Sequence, residues 1–145
     1  MSDSYHIVIA DDHPLFRGAL RYTLTSQLPD CTITEFESMH DVTRQSRVLD
    51  TADLLLLDLN MPGAHGFSGL VFVCGHYADL PVVVISANED PQVMRQAIDY
   101  GALGFIPKSA PPEELSTAVG RVLAGDVYPV SYTHLTLPTI NGECG

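Results

Sequence analysis

Blocks of apolar and polar positions alternate along the chain. Residues 6–10 (HIVIA) form a short unbroken apolar run, the pattern of a strand buried on both faces. After Pro14, core-type positions recur at Phe16, Ala19, Leu20, Thr23, Leu24 and Leu28. That spacing predicts an amphipathic helix with proline in its first turn. Residues 31–37 (CTITEFE) are β-rich but more polar and predict an edge strand; residues 39–49 predict a second, weakly periodic helix. Residues 53–58 (DLLLLD) read as a third strand. Residues 66–77 read as a helix with Phe67, Leu70, Val71 and Cys74 on its core stripe, which leaves Phe72 and Val73 off it. Residues 81–86 (PVVVIS) give a fourth strand, and 91–102 a helix opened by Pro91 and closed by Gly101. Residues 104–108 (GFIPK) give a short fifth strand. Residues 111–125 give a last helix with Leu115, Ala118, Val119 and Val122 inward and Gly125 as its stop.

Strands that alternate with helices of this length build βαβ units and a parallel sheet. Right-handed crossovers then place helices on both faces. Five strands with a polar second one fit a doubly wound α/β fold of order 2-1-3-4-5, with strands 1 and 3 at the topological switch point.

Composition narrows the picture. The chain has 145 residues, 46% of them hydrophobic, enough for one domain with its own core. No apolar run has the length of a membrane span, and the N-terminus lacks the basic and apolar regions of a signal peptide. A cytoplasmic location without membrane contact is therefore expected. Net charge is −11, from 18 acidic and 7 basic residues. Such a surface repels nucleic-acid phosphates and suits a basic partner or a bound cation. Cys31, Cys74 and Cys144 form no paired motif, and the six histidines show no ligand spacing. The cysteines read as reduced thiols, the histidines as surface or structural residues.

Ligands of such sheets bind beyond the carboxyl ends of the strands. Those ends carry Asp11 and Asp12, then Asp58, Ser86 and Lys108. At the mouth of its strand, Asp58 is expected to lie outside the core proper. Three carboxylates on one rim raise one another's pKa unless a cation neutralises them. Mg²⁺, a hard ion that accepts one or two carboxylates and keeps water, fits the donor set. A carboxylate beside it can attack phosphorus to give an aspartyl phosphate. Lys108 and Ser86 would then hold the phosphoryl oxygens.

The segments VIADDHP, LLLLDLNMPG, VVVISA and GFIPKS, in that order and spacing, resemble the receiver domains of two-component response regulators. The resemblance runs over residues 5–130. It implies a flavodoxin-like fold and a domain that catalyses only its own phosphotransfer and dephosphorylation, not a conventional enzyme. Asp58 would be the phosphoacceptor. Asp11, Asp12, Asp58 and the backbone carbonyl of Asn60 would hold Mg²⁺, with Asp12 binding directly and Asp11 partly through water. Ser86 would be the switch hydroxyl, Phe105 the switch aromatic, and Lys108 the phosphate-binding lysine. The donor would be a phosphohistidine on a sensor histidine kinase. Phosphorylation would turn Phe105 inward and reshape the face of the fourth helix, fifth strand and fifth helix, promoting a homodimer there or on a neighbouring face. DDHPLFRGAL, GALGFIPKSAPPEEL and AVGRVLAGDVY look most like the NarL/FixJ subgroup, in which a helix-turn-helix DNA-binding domain follows the receiver and regulates transcription.

The chain departs from that pattern in two places. Lys108 is followed by Ser109 and not by the common proline, and the third helix lacks charge. Two other readings share parts of the site. A phosphatase of the haloacid dehalogenase type needs a second aspartate two residues after its nucleophile, where this chain has Asn60. A pseudo-receiver would be a binding module that is never phosphorylated. Residues 131–145 (SYTHLTLPTINGECG) contain no Lys or Arg and offer no phosphate contacts, so no direct nucleic-acid binding is expected from this chain. SYTHLTLPT can be spelled by a translated transposon-type adapter. The tail is accordingly expected to be foreign or disordered, following a native sequence cut near Val130.

Overall fold

A computed structural model describes residues 4–61 and 66–125. The expected domain end at Val130, the 131–145 tail, Cys144 and the Pro62-Gly63 pair lie outside the described residues. Among those described, five parallel strands form one sheet in the order β2-β1-β3-β4-β5. In chain order the elements are β1 (Tyr5–Ala10), α1 (Pro14–Gln27), β2 (Cys31–Phe36), α2 (Met39–Arg44), β3 (Leu54–Asp58), α3 (Ser68–His76), β4 (Val82–Ser86), α4 (Pro91–Asp99), β5 (Gly104–Pro107) and α5 (Pro112–Leu123).

Successive strand residues point to opposite faces, and here both faces are covered. Ile7, Ile9, Leu54, Leu56, Val83, Ile85 and Ile106 pack under α1 and α5, against Leu20, Leu24, Leu115, Ala118, Val119 and Val122. Val8, Ala10, Leu55, Leu57, Val82, Val84 and Phe105 pack under α2, α3 and α4, against Val42, Leu70, Val73, Met94 and Ala97. The apolar runs are continuous because each strand is buried twice. The polar strand β2 lies on the edge, where Glu35 accepts hydrogen bonds from Arg17 Nε at 2.7 Å and Arg21 Nε at 2.6 Å. This pair of bonds ties α1 to the sheet edge.

Two elements differ from the sequence reading. The helix expected over residues 39–49 stops at Arg44, turns at Gln45 (φ −117°, ψ 36°) and resumes as a 3₁₀ turn, Ser46–Asp50. The Tyr77 hydroxyl donates to the Ser46 carbonyl across this break at 3.1 Å, so a partner outside the segment satisfies the backbone there. In α3 the buried face is Gly69, Leu70 and Val73, while Val71 is 46% exposed. The expected stripe was rotated. Val73, placed off the core, is fully buried, and Phe72 packs against the core as a partly buried side chain. A helix apolar on every side gives its sequence no means of marking which side faces inward. Close packing makes the choice instead: a Cβ on Gly69 would stand 2.9 Å from Met39 Sδ, so α3 approaches α2 through a glycine.

Candidate phosphoacceptor and cation site

Strand register assembles the site. Ala10 pairs with Leu57 and Asp58 with Ile85, so Asp11 and Asp58 leave the sheet at one level. Ser86 pairs with Pro107, and the Lys108 amide donates to the Ser86 carbonyl at 2.9 Å, which extends this edge by one residue. Asp11, Asp12, Asp58, Ser86 and Lys108 therefore all meet at the carboxyl rim.

Asp11 and Asp58 are buried, at 0% and 1% exposure. This corrects the expectation that Asp58 sits outside the core. A buried carboxylate requires a partner, and Lys108 supplies it. Its Nζ lies 3.0 Å from Asp11 Oδ2 and 3.1 Å from Asp58 Oδ2. The lysine closes the mouth of the strand with its ammonium 4.8 Å from the centre of the Phe16 ring, a cation–π distance. Backbone donors complete the hold. Asn60 N–H donates to Asp58 Oδ1 at 3.0 Å and His13 N–H to Asp11 Oδ1 at 2.6 Å. Arg17, held by Glu35, donates through Nη1 to the Asp11 carbonyl at 2.5 Å, so the edge-strand ion pair also braces the acidic loop.

Ser86 is fully buried, and its Oγ accepts from Asn88 N–H at 3.0 Å. Asn88 Oδ1 accepts from Asp90 N–H, and Asp90 Oδ1 from Gln92 N–H, both at 2.9 Å. Asp90 is the N-cap of α4. A relay of three short turns therefore joins the Ser86 hydroxyl to the start of α4. Phe105, expected to move inward on phosphorylation, is already fully buried among the residues under α3 and α4. Asn60 is exposed at the rim. Lys108 and Ser109 are joined without a cis bond, and Ser109 Oγ donates to Glu89 Oε2 at 2.7 Å.

The donor set fits a divalent cation. Asp11, Asp12, His13 and Asp58 each offer a ligand atom, all within 4.8 Å of one another. Asp12 Oδ1 is buried without a hydrogen-bond partner, and Asp11 Oδ2 has only its ion-pair contact with Lys108 Nζ. His13 is the site residue that sequence reasoning missed. Its place directly after Asp11-Asp12 is the signal in the sequence that sets it apart from the other histidines.

The parallel sheet with this rim defines a phosphoacceptor-type α/β domain, and residues 7–120 match the model of the response regulator receiver domain. The chain belongs to that family. It is 44% identical to the glycerol metabolism activator of Pseudomonas putida over 86% of this chain and 56% of that protein. It is 33% identical to the nitrate/nitrite response regulator protein NarL of Escherichia coli K12, over 83% of this chain and 56% of that protein. The isolated receiver domain of RcsB from Salmonella enterica serovar Typhimurium, solved with the phosphomimetic BeF₃⁻, superposes with a TM-score of 0.83 at 26% identity. That match covers 92% of this chain and 99% of the RcsB domain. The NarL/FixJ-type resemblance read from the sequence thus holds. The chain spans about half the length, 56%, of the curated relatives it matches. Among the described residues no helix is long and apolar enough to cross a membrane.

Proposed function

We propose that Asp58 takes a phosphoryl group from a phosphohistidine of a sensor histidine kinase and that the protein signals through the resulting change of shape. One observation carries the reading: Asp58 and Asp11, buried side by side, share a single ammonium, that of Lys108. In the transfer, an Asp58 carboxylate oxygen forms the new O–P bond, and the P–N bond to the donor imidazole breaks. The leaving imidazole nitrogen takes a proton from solvent. Mg²⁺, when bound, offsets the negative charge that collects on the phosphoryl oxygens. Asp11, Asp12, Asp58 and the Asn60 carbonyl would hold it. Lys108, already at hydrogen-bond distance from Asp58, binds a phosphoryl oxygen from the other side.

Ser86 is the residue that senses the product. The phosphoryl group adds up to about two negative charges and strong acceptor oxygens. A hydroxyl drawn to donate to one of them shifts Asn88 and, through Asp90, the first turn of α4. Phe105, on β5, packs on the same side as α4, and its inward position is the one suited to the phosphorylated form. The face of α4, β5 and α5, or a neighbouring one, then favours a homodimer, and an effector domain in a longer parent protein would regulate transcription. The relatives' names, a metabolism activator and a nitrate/nitrite response regulator, support that output.

Phosphate-affinity electrophoresis after incubation with acetyl phosphate and Mg²⁺ tests the assignment. The wild type shifts and Asp58→Asn does not. Labelling that survives this substitution would move the acceptor elsewhere, and an unshifted wild type would favour a pseudo-receiver. Sedimentation with beryllofluoride tests the dimer, which a strictly monomeric sample contradicts.

A further inference from the structure

The ring nitrogen of His13 is placed as though it belonged to the cation site. His13 is the extended N-cap residue between buried Asp11 and Pro14 at the start of α1. This fixes its Cβ at the mouth of the cluster. Nδ1 lies 3.1 Å from Asp12 Oδ1, 3.3 Å from Asp11 Oδ1 and 3.8 Å from Asp58 Oδ2. It also lies 2.8 Å from Lys108 Nζ.

Nδ1 thus has an ammonium and carboxylate oxygens within reach at once. Nδ1 therefore borders the space that the carboxylate oxygens share. Ligand atoms from four residues converge on one place, and the Lys108 ammonium stands within 3.1 Å of Asp11 Oδ2, His13 Nδ1 and Asp58 Oδ2. Of those oxygens, Asp12 Oδ1 is buried without a hydrogen-bond partner and Asp11 Oδ2 has only its ion-pair contact with Lys108, on a side chain that is fully buried. Neutral imidazole with its second nitrogen protonated is the form in which histidine binds metals.

We infer that His13 is a nitrogen ligand of this site and biases it from Mg²⁺ toward first-row transition ions. The inference rests on the cation reading given above. Mg²⁺ prefers oxygen and gives up water reluctantly. Imidazole adds little for it but strengthens binding along the series from Mn²⁺ to Ni²⁺. A three-carboxylate rim with one imidazole should thus hold Ni²⁺ or Mn²⁺ more tightly than a rim of oxygen alone, while its affinity for Mg²⁺ changes little.

The test uses the full chain and its His13→Phe variant, which keeps a ring but removes the nitrogen. Mn²⁺ bound to the wild type should show the ¹⁴N coupling of a directly bound imidazole in pulsed electron paramagnetic resonance, and the variant should lose it. By calorimetric titration the variant should bind Ni²⁺ roughly tenfold or more weakly, with Mg²⁺ affinity nearly unchanged. Mg²⁺ binding without nitrogen coupling, and with equal Ni²⁺ affinity in both proteins, overturns the inference and leaves the cation site standing. A wild type that binds no divalent ion overturns both.

Discussion

Lys108 Nζ stands 3.1 Å from Asp58 Oδ2 although β4 lies between the strands that carry them. The lysine side chain crosses over the end of β4 to make this contact, and it reaches Asp11 at the same time. Two buried rim carboxylates depend on one ammonium that is 14% exposed. Lys108→Met removes the charge, keeps most of the stem, and leaves two buried carboxylates opposed. Breaking a buried pair from one side is costly, here about 2 kcal/mol. The melting temperature of the variant should fall by several degrees without divalent ion, and added Mg²⁺ should restore part of the loss. A variant as stable as the wild type would show that the ammonium does not compensate the buried acids.

Asp12 acts in the opposite sense. One of its oxygens is buried without a hydrogen-bond partner beside two other carboxylates, so the metal-free protein carries it at a cost of about 1 kcal/mol. Asp12→Ala should raise the melting temperature of the ion-free protein slightly. It should also abolish the rise that Mg²⁺ causes in the wild type, since a ligand stabilises only the state that binds it. Thermal melts with and without Mg²⁺ measure both effects. An undiminished Mg²⁺ response in the variant removes Asp12 from the ligand set.

The Glu35 carboxyl gives the fold a dependence on acid. Burial alone would raise its pKa, but the hydrogen bonds and charges of Arg21 and Arg17 outweigh burial and hold it below the usual carboxylate range. A depressed folded pKa means stability that is fully present above the unfolded value and lost as pH falls through the folded one. Glu35→Gln should therefore cost about 1 kcal/mol at neutral pH and progressively less in acid. Melting curves of the two proteins should converge as the pH drops below the ordinary glutamate range. Curves that stay parallel would exclude the ion pair as their cause.

The strand order and the rim were legible in the sequence for one physical reason. A doubly buried parallel strand is a continuous apolar run, and the first polar residue after it marks where the strand leaves the core. Asp11, Asp58, Ser86 and Lys108 all stand at such ends. The depth of Asp58 was not legible, because it depends on Lys108 folding back from a segment 50 residues away. The facing of α3 was not legible either. With an apolar side chain at most of its positions, it is packing with other elements, such as the approach of Met39 to Gly69, that sets Val73 inward and Val71 outward. His13 was missed because its chemistry is set by neighbours in space, Lys108 above all, and not by a second histidine at ligand spacing.

Gly101, read in the sequence as the residue that closes α4, offers a test of a local rule. Its φ is +121°, a region that residues with a Cβ rarely adopt. The Gly101 amide donates to the Ile98 carbonyl and the Ala102 amide to the Ala97 carbonyl, both at 3.0 Å. This is the paired arrangement that satisfies the last carbonyls of a helix ending in a left-handed turn. A second constraint comes from across the sheet face: a Cβ on Gly101 would stand 2.9 Å from Cys74 Sγ on α3. Gly101→Ala should thus lose stability through backbone strain and through overpacking, together about 2 kcal/mol. The two causes separate in a double-mutant cycle with Cys74→Ala, which opens space at the contact and leaves the backbone requirement alone. The alanine at 101 should be less damaging in the Cys74→Ala background, with strain of about 1 kcal/mol remaining. A penalty of the same size in both backgrounds would show that α3 does not press on this turn.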